Sequence, residues 1–203
     1  MMLRRFTRRT MLGAACLLTL LPGLASASPA TDFVSSFGGD LAHVLNSSEP
    51  VSQKREEILP LLRKNVDIQG IGRYVLGRYW RVATPAQRTR YLTLFEDVLL
   101  YAVTVRMGSY QQVSLKILGE VPSPAGTKVT VSVERPRQPS IILTTVVSGN
   151  PPKVVDLYGE GASMRMTQRS DYTAFLSRHG GQVQTLIDAL SNQVARNRNV
   201  SSN

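Results

Sequence analysis

Apolar positions in this chain follow two periods, and their order along the sequence predicts the fold class. Phe33, Phe37, Leu41, Val44 and Leu45 recur at helical spacing and predict a first amphipathic helix, weakened at Gly38-Gly39. Ile58, Leu61, Leu62 and Val66 form one stripe of a second helix, Ser52 to Val66, in which Pro60 predicts a kink or a break. A third helix runs from Ile68 to Leu76 and stops at Gly77, a residue suited to a helix C-terminus. Thr84, Pro85 and Gln87 then form a capping box with proline at the first helical position. The helix they open is the longest, reaching about Met107. Its apolar residues Tyr91, Leu92, Leu94, Phe95, Val98, Leu99, Tyr101, Ala102, Val103 and Val105 cover more than half its girth. Such a helix is central, or it meets apolar material on two sides.

The period then changes from 3.6 to 2. Val113, Leu115 and Ile117 alternate with polar residues, and so do Val129, Val131 and Val133. Each set reads as a strand with one dry face, and Pro122–Gly126 joins the two as a hairpin. Ile141–Val147 is a third strand, apolar on both faces. Val154–Met166 is a fourth, with Gly159-Glu160-Gly161 expected to hold a bulge that returns Met164 and Met166 to the dry side. Helical spacing resumes after Ser170, and Val183, Leu186, Ile187, Leu190 and Val194 form a closing helix. Helices, then strands, then helices predict an α+β domain with a curved, mostly antiparallel four-stranded sheet and helices packed over one face.

The first 27 residues alter the compartment rather than the fold. Arg4, Arg5, Arg8 and Arg9 precede an apolar run from Met11 to Leu24, and Ala25-Ser26-Ala27 reads as a cleavage site. Thr7-Arg8-Arg9-Thr10-Met11-Leu12 fits a twin-arginine export signal, with Sec export as the alternative. The lone cysteine, Cys16, lies in this segment, so the mature chain is expected to carry no disulfide. Without the four arginines the formal charge falls from +10 to +6. An exported chain has little access to nucleic acid, and its basic surface suits an anionic headgroup or an acidic protein face, or is simply solubility charge. The expected organisation is a cleaved export signal over 1–27, one domain over 28–196 and a flexible polar tail over 197–203.

Catalytic and metal-binding patterns are sparse. The two histidines, His43 and His179, stand alone, and neither a Gly-x-Ser-x-Gly elbow nor metal-ligand spacing occurs. No glycine-rich phosphate loop follows a strand, so no cofactor is expected. Asp156 and Glu160 flank the glycine turn and could form an acid pair, or serve as a turn acceptor and a solvated edge carboxylate.

Two segments resemble known family motifs. Tyr74–Arg88, with its Leu76-Gly77-Arg78-Tyr79-Trp80 core and Thr84-Pro85-Ala86-Gln87-Arg88 exit, is similar to the MlaC, or toluene-tolerance, family, as is Phe95 early in the helix that follows. Asp156-Leu157-Tyr158-Gly159-Glu160-Gly161-Ala162-Ser163-Met164 resembles the family's second motif, with Val155 in place of the usual aromatic. Thr167-Gln168-Arg169 stands where many members have Asn-Tyr-Arg, which resembles the hopanoid-associated HpnM branch. The resemblance implies an NTF2-like shape and a periplasmic, non-enzymatic carrier of a phospholipid or hopanoid in a Gram-negative bacterium. It implies as partners an inner-membrane ABC transporter with an MCE-domain subunit and an outer-membrane lipoprotein complex. On this reading the domain over 28–196 is a lipid-binding one, and the acyl chains are expected to touch Tyr74, Val75, Phe95, Val98, Leu99, Ala102 and Val103 on helices. From the sheet they are expected to touch Val131, Val133, Leu143, Val146, Met164 and Met166. Arg73, Arg78, Tyr79, Trp80 and Arg81 would rim the mouth or dock a partner, or simply pack as an interhelix elbow. Two alternatives remain open: a small-substrate enzyme of the same shape using Asp156 as base, and an accessory protein of hopanoid synthesis or export.

Overall fold

The computed structural model describes residues 28–105 and 110–201. The export segment and the end of the longest helix at Met107 lie outside them. The helices are α1 (Pro29–Asn46), α2 (Val51–Asn65), α3 (Ile68–Leu76), α4 (Tyr79–Val82), α5 (Pro85–Thr104), α6 (Met164–Arg178) and α7 (Val183–Ser201). The strands are β1 (Ser114–Ser123), β2 (Gly126–Arg135), β3 (Gln138–Ser148), β4 (Lys153–Gly159) and β5 (Ala162–Ser163). They form one curved antiparallel meander in sequence order. The domain is thus α+β as expected, with five strands rather than four.

Local chemistry explains most boundaries. The Thr84 side chain accepts from Gln87 N at 3.2 Å while Gln87 Oε1 accepts from Thr84 N at 3.0 Å, a complete capping box. Gly77 ends α3 at φ +57°, where a β-carbon would be strained. Neither Gly38-Gly39 nor Pro60 interrupts its helix. Pro60 lies on the exposed side of α2, where water can satisfy the carbonyl that loses its partner.

The expected fourth strand is corrected. β4 stops at Gly159, a tight turn follows, and after two residues of β5 the chain becomes α6 at Met164. Ser163 caps α6, its hydroxyl accepting from Met166 N at 3.1 Å. Met164 and Met166 are therefore helical residues, 50% and 57% exposed, not members of a strand.

Most buried apolar residues fall into two clusters, with Val113, Val133, Val146 and Val154 in neither. The larger is helical, built from α2 to α7 with Val44 of α1, and contains Val75, Leu76, Tyr91 and Leu176 with at most 1% exposure. The smaller joins Ala30 and Val34 of α1 to Val129, Val131 and Val147 of the sheet. Helix α1 alone contributes buried residues to both.

Candidate functional site

Residues opposite each other on neighbouring strands share a face of the sheet. One row therefore runs Leu115–Val133–Ile141, the next Ile117–Val131–Leu143–Gly159, and a third includes Val129, Thr145 and Leu157. A bulge at Leu118 breaks the phase of β1 between Ile117 and Gly119. This strip faces α1, and its burial is graded. Val129 and Val131 are buried, whereas Ile141, Leu143 and Leu157 are half-buried.

Two supports flank the strip. Helix α1 runs along β1 in the opposite direction. Ser28 and Thr31 donate hydroxyls to Glu120, a β-carbon on Gly38 would meet Leu115, and Asn46 exchanges two hydrogen bonds with the backbone of Val113. The two hydroxyls, Ser28 foremost, hold the Glu120 carboxyl below its usual pKa. At the other edge, Asp67 N donates to Val154 O at 2.9 Å, and the Arg165 guanidinium donates to Val155 O at 3.3 Å. These bonds hold α3 and α6 against β4. The half-buried part of the strip, on β3 and β4, lies between the two supports.

Asp156 fixes the β4–α6 junction. Its carboxylate accepts from Leu157 N at 2.8 Å, Arg165 N at 3.2 Å and Ser163 Oγ at 2.6 Å, and pairs with the Arg165 guanidinium at 3.2 Å. At 3% exposure, with three hydrogen bonds and an ion pair on its two oxygens, it is poorly placed to take a substrate proton. Glu160 is exposed and forms no pair with it. Among the described residues no group of three His, Cys, Asp or Glu could hold a metal.

The sequence-predicted lining residues do not all meet. Val131, Val133 and Leu143 share the helix-facing strip. Val146 points to the other face, opposite Lys128 and Asp156, because it lies an odd number of residues from Leu143 along β3. Met164 approaches the strip from α6: a β-carbon on Gly159 would lie 3.0 Å from its Cε and 3.8 Å from Leu143 Cδ2. Val75 and Phe95 are inside the helical core, Val98 and Leu99 pack against that core half-buried, and Ala102 and Val103 are exposed. Tyr74 is half-buried beneath the guanidiniums of Arg165 and Arg169, 4.4 and 4.8 Å from its ring centre. Nothing local in the sequence links Arg165 and Arg169 to Tyr74, so their place here follows only from the fold. Two clefts lie elsewhere, one of about 510 Å³ between α6 and α7 and one of about 290 Å³ on the opposite face of the sheet.

In the aromatic-basic elbow the two rings pack against the helical core, while Arg73 and Arg78 are exposed. Tyr79 is buried, its hydroxyl 3.2 Å from Ser177 Oγ and 2.9 Å from Arg78 Nη2, and these bonds, Ser177 first, lower its pKa. Trp80 lies under Arg73 and Arg88, each 5.2 Å from its ring. Arg88 also donates to Trp80 O at 2.9 Å, tying α5 back onto α4. Arg81 is exposed.

A helical core standing beside one apolar face of an antiparallel meander, with α1 shared between them, defines a two-core α+β class of domain. The same fold occurs in the phospholipid-binding protein from Ralstonia solanacearum, solved in complex with a phospholipid. The two superpose with a TM-score of 0.72 at 19% identity, covering 84% of this chain and 99% of that one. Residues 39–192 match the MlaC protein family, and the chain belongs to that family.

Proposed function

We propose that this chain binds a lipid by its acyl chains between the helical core and the helix-facing strip of the sheet, and carries it through the periplasm. The observation that carries this reading is the graded strip, whose half-buried Ile141, Leu143 and Leu157 lie between α1 and the α3–α6 support. Family membership and the phospholipid-binding structural relative support it. Because the two apolar clusters share only α1 among the described elements, parting them along this seam opens an apolar gap with α1 as the element that must give. Val131, Val133, Leu143 and Met164 would form the floor, with Val98, Leu99, Ala102, Val103 and Tyr74 above and beside it.

A carrier meets a definite physical need. Each methylene exposed to water costs about 0.8 kcal/mol, so two sixteen-carbon tails cost on the order of 25 kcal/mol. Free lipid therefore does not cross an aqueous compartment at a useful rate. Binding alone relays a gradient, so direction would come from an inner-membrane ABC transporter with an MCE-domain subunit and an outer-membrane lipoprotein complex. The burial of Asp156 and its engagement by three donors and a guanidinium favour binding without catalysis. Thr167-Gln168-Arg169 supports a second cargo, a hopanoid, through its resemblance to the HpnM branch.

The test is native mass spectrometry and lipid extraction on mature protein purified from a bacterial periplasm. A co-purified phospholipid supports the first cargo and a triterpenoid the second. Apo protein alone, persisting after incubation with both lipid classes, would overturn carriage.

A further inference from the structure

The elbow and the first two turns of α6 carry Arg73, Arg78, Arg81, Arg88, Arg165 and Arg169. Among the described residues the only carboxylate paired with any of them is Asp156, which Arg165 uses. Arg169 is different from the others. It is half-buried and, among the described residues, has no ion pair or hydrogen bond, yet it is held in place. Its Cζ lies 4.8 Å from the Tyr74 ring centre. Its Nε and Nη2 lie against Gly77, each 3.1 Å from where a β-carbon would stand. A guanidinium fixed by a ring and a bare backbone, with its donor edges unspent, is preorganised for an anion. Its position names the anion's source. One helical turn separates Arg165 from Arg169, and the preceding residue, Met164, reaches the apolar strip at Leu143 and Gly159. Along α6 an apolar floor is therefore followed at once by cationic charge, the order in which a lipid presents its tails and its phosphate ester.

We propose that Arg169 holds the phosphate of the cargo's headgroup and so selects a phosphate-bearing lipid over a neutral one of the same tails. This rests on the lipid-binding reading above. Tyr74 and Gly77 act as positioning residues that keep the guanidinium aimed. A neutral triterpenoid would leave Arg169 without a counter-charge, so the proposal also chooses between the two cargoes.

The experiment uses delipidated mature protein and vesicles containing equal amounts of dioleoyl phosphatidylglycerol and dioleoylglycerol, with bound lipid counted by native mass spectrometry. Wild type is expected to prefer the phosphatidylglycerol by about tenfold or more. Arg169→Gln is expected to abolish that preference while diacylglycerol uptake stays unchanged, which shows that the variant is folded; Arg169→Lys should restore part of it. Equal uptake of both lipids by wild type overturns the headgroup assignment and leaves lipid carriage standing. Uptake of neither overturns both. A third arm titrates inorganic phosphate. Arg169-dependent binding of free phosphate, with lipid preference unaltered in Arg169→Gln, also overturns the headgroup assignment.

Discussion

Asp156 serves two backbone N–H groups, one hydroxyl and one guanidinium at the same time. Asparagine keeps its shape but presents an amide to one of those donors and strands the Arg165 charge. Asp156→Asn is therefore expected to cost about 3 kcal/mol, measured by urea unfolding at neutral pH. Lipid uptake by the folded fraction should be unchanged, because Asp156 does not lie on the helix-facing strip. Tyr91 supplies a second residue-scale test. Its buried hydroxyl donates to Gly72 O at 2.9 Å, and burial pushes its pKa well above the ordinary tyrosine value. The folded state then keeps a proton that the unfolded chain releases. Stability is full below about pH 10 and falls as pH rises further. Denaturant melts across that range should show the decline, and Tyr91→Phe should reduce its slope; Tyr172, raised for the same reason, keeps part of it. Features set by near neighbours in sequence were legible at this scale, the Thr84–Gln87 capping box among them. The stacking of Arg165 and Arg169 on Tyr74 was not, because it depends on α3 and α6 meeting at the β4 edge.

At the scale of elements, periodicity located α1, α2, α3, α5, α7 and the β1–β2 hairpin, left α4 as an elbow and misjudged the junction into α6. Met164-Arg165-Met166 alternates like a strand, but Ser163 offers a cap and Gly161 a turn, and three alternating residues are too few to outweigh them. The phase of β3 was illegible for a related reason: a strand apolar on both faces carries no mark of which side is dry. Pro60 misled in the other direction, since exposure makes its missing bond cheap to leave to water. Helix α1 gives the element-scale prediction. A β-carbon at Gly39 would meet nothing within 4 Å, so Gly39→Ala should stabilise the domain by about 0.5–1 kcal/mol, read from thermal or urea melts. The same substitution stiffens the middle of α1, and lipid exchange between vesicles and protein should slow.

At the scale of the molecule, the α+β class followed from the order of periods alone, because long helical and short strand repeats leave different apolar spacing. Whether the interior was one core or two was beyond that kind of reading. Val34 and Val44 lie on the same helix yet belong to different clusters, a division made by the three-dimensional path of α1. The candidate site was partly legible: Val131, Val133 and Leu143 share a face as expected, while Val146, Val75 and Phe95 do not line it. Leu143 tests the seam as a whole. It is half-buried, so Leu143→Trp should change stability by less than about 1.5 kcal/mol and yet fill the floor. Loss of bound lipid with the melting curve nearly unmoved is the expected pair of results.

Helix α1 spans about 15 Å between Val34 and Val44, at 1.5 Å per residue, and is seated in a different core at each end. It therefore acts as a tether as well as a wall. Any widening of the seam must flex it at the glycine pair or unseat one of its ends. On the proposed lipid-binding reading, the grip on a cargo and the tension in that tether are one mechanical quantity, so the stretch between the two valines would govern how readily the domain lets go.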